Sequence, residues 1–258
     1  MGEPVDLRDF HDAGHGFDAL GMSPAAVRRA LALTAPAYDH YFRVESQGSA
    51  QVPREGGAIL VANHSGVLPV DGAMLWVDVA RQTGRIARTV GDHMIARLPF
   101  VSAIFSRVGV VSGTQATVRH LLDQGAIVTI FPEGVSGVAK PARWKYRLQR
   151  WQVGHAELAI RHRVPVIPVA IVGAEESWPV MLRLRRVRVF GIPYLPVPWT
   201  PLPLPVRYHI RYGAPLELFR DRPVEAADDP AVVAAAAQQT REAVAALLAR
   251  TLDERRAR

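Results

Sequence analysis

Residues 61–72, VANHSGVLPVDG, place an imidazole at the end of an apolar run and a carboxylate seven positions further on. Two readings of His64 and Asp71 are open. In one, a histidine merely closes a strand and an aspartate caps the next helix. In the other, His64 is a general base and Asp71 the acid that holds its tautomer and stabilises the imidazolium. Such a base takes the proton from a substrate hydroxyl as its oxygen attacks a thioester. A second group, Phe131-Pro132-Glu133-Gly134, also follows an apolar run. There a carboxylate can hydrogen-bond a polyol, and a glycine lets a substrate approach the backbone. Each group is weak alone; together and in this order they favour catalysis.

Other chemistries lack their residues. There is no phosphate-binding Gly-x-x-x-x-Gly-Lys, no His-Glu-x-x-His and no Gly-x-Gly-x-x-Gly. Ser65 has Asn63 and Val67 where a nucleophile elbow needs glycines. Zero cysteines exclude disulfides, thiolate nucleophiles and Cys-ligated zinc. No metal and no bound cofactor is expected.

The elements that must position these groups can be read from periodicity. Three continuous apolar runs, within 57–62, 126–131 and 164–174, read as strands buried on both faces. Helices are expected over about 23–42 (split by Pro36), from Asp71 as N-cap to about Gln82, over 115–123, over 148–162, and from 229 to 253. The expected fold is α/β: one domain, a largely parallel central sheet flanked by helices. In such sheets ligands lie beyond the carboxyl ends of the strands, which puts His64 and Glu133 on one rim. Residues 1–22 read as an irregular N-terminal segment before a domain over 23–258, RYHIRYGAPL as an edge strand, and DERRAR as a solvated tail.

Composition narrows the partners. With 49% hydrophobic and 21% charged residues the chain is globular. A net charge of +7 suits an anionic partner, although 29 of the 31 basic residues are arginine, which also fits a biased genome. No zinc finger, aromatic RNA-binding signature or long basic tract points to nucleic acid. The N-terminus carries acids and no apolar signal region, so a cytoplasmic protein is expected. Residues 189–206 form an uncharged stretch with six prolines, which no membrane-spanning helix tolerates. It is either a loop lining a greasy pocket, a loop dipping into a membrane interface, or a buried connector. Arg107 could pair with a phosphate through its planar fork. The two lysines, Lys140 and Lys145, lie in a basic, aromatic loop, KPARWKYR, suited to a coenzyme A phosphate or a lipid headgroup.

In these blocks the chain resembles the glycerolipid acyltransferases, which move a fatty acyl group from coenzyme A or acyl carrier protein to a hydroxyl. The blocks are Asn63–Asp71, Phe105–Arg107, Phe131–Gly134 and Val164–Val172, in the family's order. The family usually has four residues between His and Asp, whereas six separate His64 and Asp71. That gap, with GAEE and the later proline-rich pattern, is similar to the mono- and diacylglycerol acyltransferase-like branch and extends the resemblance to residues 57–218. The resemblance implies a peripheral membrane O-acyltransferase with acyl-CoA or acyl carrier protein as donor substrate and a glycerolipid or lysophospholipid acceptor. His64 and Asp71 would be catalytic; Asn63, Arg107, Phe131, Glu133, Gly134, Lys140 and Lys145 would bind substrate. A non-catalytic lipid-binding scaffold of the same fold and a phospholipid-dependent transacylase are the alternatives.

Overall fold

The structure, a computed structural model, describes residues 7, 10–65, 69–91, 99–134, 137, 140, 142–184 and 195–257. Its strands are β1 (Glu45–Gln47), β2 (Ala58–Ala62), β3 (Arg88–Gly91), β4 (Val111–Ser112), β5 (Ile127–Ile130), β6 (Val166–Val172), β7 (Val180–Leu184), β8 (Leu195–Pro198) and β9 (His209–Tyr212). The α-helices are α1 (Pro24–Pro36), α2 (Val70–Thr83), α3 (Pro99–Arg107), α4 (Gln115–Asp123), α5 (Gly154–His162), α6 (Ala174–Ser177) and α7 (Pro230–Arg256).

Seven strands form one sheet in the order β1-β9-β6-β2-β5-β3-β4, and β7 pairs with β8 in a separate ribbon. Every pairing in the large sheet is parallel except β6 with β9. The alternation of β2 explains why its run is continuously apolar. Ala58, Leu60 and Ala62 face one core with Leu75 and Val77 of α2. Ile59 and Val61 face the other, with Leu121 of α4, Ala159 of α5 and Ala236 of α7. A strand covered on both faces has no solvent side to carry polar residues.

Several expectations change. Pro36 does divide the first helix: α1 stops there and the chain continues as a π-helical turn over Ala37–Tyr41. The helix expected over 148–162 begins only at Gly154. The backbone N–H groups of Gln149 and Gln152 donate instead to Glu133 Oε2 and Pro132 O, and that of Tyr146 to Glu175 Oε2, so residues 142–153 run as a strap along the Pro-Glu-Gly turn. β9 is no edge strand but lies between β6 and β1. Its polar members are tolerated there because they are paired, Arg211 Nη1 donating to Glu45 O at 2.8 Å. The DERRAR tail is helical to Arg256, and Arg255 grips Glu176 at 2.5 and 2.7 Å. Of the proline-rich stretch, residues 189–194 lie outside the described residues. The rest is not a buried connector: β8 leads into a surface turn in which Trp199 is 74% and Leu202 71% exposed. Tyr41 Oη and Arg43 Nη2 hold that turn by donating to Pro203 O and Pro205 O.

Candidate active site

β2 lies between β5 and β6, so three neighbouring parallel strands end on one rim. β2 delivers Asn63 and His64, β5 delivers Phe131–Gly134, and β6 delivers Gly173–Glu175. Helix α2 starts against the same rim. The position expected to be an Asp71 N-cap is occupied by Pro69, and Asp71 sits one residue into the helix, fully buried.

From there its carboxylate turns back on the strand end. Asp71 Oδ2 lies 2.8 Å from His64 Nδ1 and also accepts the Ser65 backbone N–H at 2.8 Å, while Oδ1 accepts Gly72 N–H. A carboxylate can only accept, so Nδ1 carries the proton and Nε2 has a free lone pair. The His64 side chain is 13% exposed, and its ring lies 4.5 Å from that of Phe131, tilted by 33°. Burial works to lower the imidazole's proton affinity, but the charge and hydrogen bond of Asp71 outweigh it. Glu133 adds to the rise and Lys140 opposes it, and the net pKa is raised.

Both carboxylate oxygens of Glu133 already have partners within the chain. Its Oε1 accepts His64 N–H at 3.2 Å, and its Oε2 accepts Gln149 N–H at 2.8 Å and faces Lys140 Nζ at 3.4 Å. Asn63 is equally committed: its amide donates to Ile171 O at 3.0 Å and accepts Ile171 N–H at 2.8 Å, stitching the end of β2 to β6. Gly134 turns the chain at φ +50°, donating to Phe131 O. Lys140 is buried and Lys145 is paired with Glu176 at 3.0 Å. Arg107 is exposed at the end of α3, stacked 4.0 Å over Phe17, and its Nη1 reaches Gly21 O at 3.4 Å. Its contacts among the described residues do not include the dyad.

Sequence reasoning missed two members. A Cβ on Gly137 would stand 2.8 Å from Glu133 Cβ and 3.0 Å from both His64 Cβ and His64 O, so only glycine fits over the base. Glu175, from the GAEE segment, faces Lys140 Nζ at 3.0 Å. No local signal distinguishes Gly137, and the GAEE pattern marks Glu175 without showing that it pairs with Lys140. Among the described residues no group of three or more His, Asp or Glu is disposed to hold an ion.

The arrangement can take a proton at Nε2 and balance the resulting imidazolium at Nδ1. Comparison with known proteins bears on what that proton transfer serves. The Acyltransferase family matches residues 43–172. An uncharacterized protein of Mycobacterium tuberculosis is 34% identical over 97% of this chain and 73% of its own length. A human "DGAT1/2-independent enzyme synthesizing storage lipids" is 25% identical over 79% of this chain and 60% of its own. The crystal structure of a 1-acyl-sn-glycerophosphate acyltransferase, PlsC, from Thermotoga maritima superposes with a TM-score of 0.57 at 17% identity. That match covers 90% of this chain and 81% of the other, and shows a shared fold.

Proposed function

The chain belongs to the acyltransferase family, and we propose that it moves a fatty acyl group from acyl-CoA to a hydroxyl of a glycerolipid, with His64 as base. The observation that carries this reading is the 2.8 Å contact of His64 Nδ1 with a fully buried Asp71, at the mouth of the parallel sheet. His64 Nε2 takes the acceptor hydroxyl's proton as the oxygen attacks the thioester carbon. The tetrahedral intermediate collapses with cleavage of the C–S bond, and the imidazolium returns the proton to the leaving thiolate. Asp71 holds the tautomer throughout.

The donor is read from the strap. Arg143, Arg147 and Arg150 are exposed, with no ion pair among the described residues, and Arg143 stacks 5.2 Å from the Trp144 ring centroid. Together they suit the phosphates and the base of a nucleotide carrier. They replace Lys140 and Lys145, which are already paired. The acceptor is read from the lipid enzymes named above and from exposed apolar side chains. Phe100 and Ile104 of α3 are 85% and 64% exposed, and Trp199 and Leu202 project from the proline-rich turn. No helix among the described residues is long and apolar enough to cross a membrane. Lipid contact through these side chains gives a peripheral attachment.

The test is release of free thiol from long-chain acyl-CoA with a panel of glycerolipid acceptors. His64→Ala should lower turnover roughly 10²–10⁴-fold with the fold intact. A folded variant retaining more than about half the activity removes His64 from the chemistry. Turnover by the wild type with phospholipid donors and no acyl-CoA would instead identify a transacylase.

A further inference from the structure

Lys140 lies outside the four motif blocks, yet it is one of the most confined charges in the molecule. Its ammonium faces Glu133 Oε2 at 3.4 Å and Glu175 Oε1 at 3.0 Å, and donates to Arg147 O at 3.4 Å. Two of its N–H groups donate, to Glu133 Oε2 and to Arg147 O, and Glu175 Oε1 lies beside it as a counter-ion. Each of its acceptors is tied to the site. Glu133 receives the His64 backbone N–H. Glu175 Oε2 receives Tyr146 N–H at 2.8 Å, and Tyr146 Oη receives Gly173 N–H at 2.8 Å, which fastens the strap to the end of β6.

Two buried carboxylates that share a neighbourhood do not both stay ionised without a cation between them. We propose that Lys140, with Glu175 as its counter-ion, is a positioning residue for acyl transfer. It holds the Glu133 side chain in place against the His64 backbone N–H, and so fixes the base over the strand end. This inference rests on His64 being the base. Burial pushes the Glu175 carboxyl up, and the neighbouring Lys140 ammonium opposes that rise. Three charged groups act on the His64 imidazole: Asp71 from α2 in direct contact, Glu133 from the turn after β5 through the His64 backbone N–H, and Lys140 from the loop that follows that turn. Of these only Lys140 lowers its proton affinity.

The experiment compares the wild-type chain with Lys140→Met and Glu175→Gln. The measurements are kcat and KM for acyl-CoA, the pH profile of kcat/KM, and the His64 imidazole titration followed by NMR. Lys140→Met should lower kcat roughly 10- to 100-fold, the usual scale for a displaced catalytic group, with KM for acyl-CoA unchanged within about twofold. The His64 titration and the acid limb should both move to higher pH. A raised KM with an intact kcat would make Lys140 a phosphate ligand and overturn the proposal. So would a lowered melting temperature with unchanged kcat and His64 titration, which would leave only a structural ion pair. Should Lys140→Met fail to fold, Glu175→Gln decides: it releases the ammonium from the β6 side, so a fall in kcat at unchanged KM is expected, and an unaltered kcat overturns the proposal. The NMR titration needs no substrate. A wild type that cleaves no thioester would therefore sink the acyl-transfer reading while leaving the Lys140 shift still to be seen or not.

Discussion

Asp71→Asn isolates the dyad from the fold. In the wild type Oδ2 accepts from both His64 Nδ1 and Ser65 N, and Oδ1 accepts from Gly72 N. Asparagine offers one acceptor and one donor group where the carboxylate offers two acceptors. With its NH₂ toward the imidazole it selects the tautomer protonated at Nε2, which cannot take a proton from the acceptor. With its oxygen toward the imidazole it keeps the tautomer but not the charge. The charge alone can be sized. Charge centres about 4 Å apart attract by about 4 kcal/mol at an effective dielectric near 20. At about 1.36 kcal/mol per decade that is a loss of roughly 10³-fold in turnover. The misplaced amide leaves a buried donor unpaired, about 1–3 kcal/mol, and the melting temperature should fall by roughly 2–4 °C per kcal/mol. The pH profile carries a sign. A base works when neutral, so the rate rises with pH through the His64 pKa. Because Asp71 raises the imidazole's proton affinity, the wild-type limb is expected above the ordinary imidazole value of about 6.5. Removing Asp71's charge leaves burial as the largest influence, so the limb should move to lower pH at a lower plateau. Initial rates of thiol release across pH, run beside a thermal melt, read all three quantities. A folded variant with more than about half the wild-type turnover and an unmoved limb would refute the dyad.

Gly137→Ala should cost about 1–3 kcal/mol of stability from overpacking and lower kcat, because the added carbon meets His64 and Glu133 close to the backbone; an unchanged melt and kcat would contradict that packing. Replacing Arg143, Arg147 and Arg150 together with alanine should raise KM for acyl-CoA at least about tenfold with kcat little changed, the signature of lost uniform binding. Equal KM values would remove the strap as the donor site. Polar substitutions at Trp199 and Leu202 should abolish the salt-resistant part of binding to anionic vesicles without changing the melt, since salt screens charge over about 8–10 Å but not apolar insertion. Flotation that matches the wild type would place the membrane contact elsewhere.

What was legible in the chain was local. The three apolar runs announce strands covered on both faces, and His64 and Asp71 are near enough in sequence for one strand end and one helix turn to bring them together. Even the extra residues between them leave that geometry intact, because Asp71 enters the site from the first turn of α2 rather than as its cap. The roles of Asn63, Glu133 and Lys140 were not legible. A polar side chain at a strand end looks available for substrate until its partners are known, and those partners come from β6 and the strap, far along the chain. Residue type alone places a lysine on the surface. Only the adjacency of β5, β2 and β6, set by packing on both faces of the sheet, buries Lys140 between two carboxylates and joins Asn63 and Glu133 to the backbone around His64.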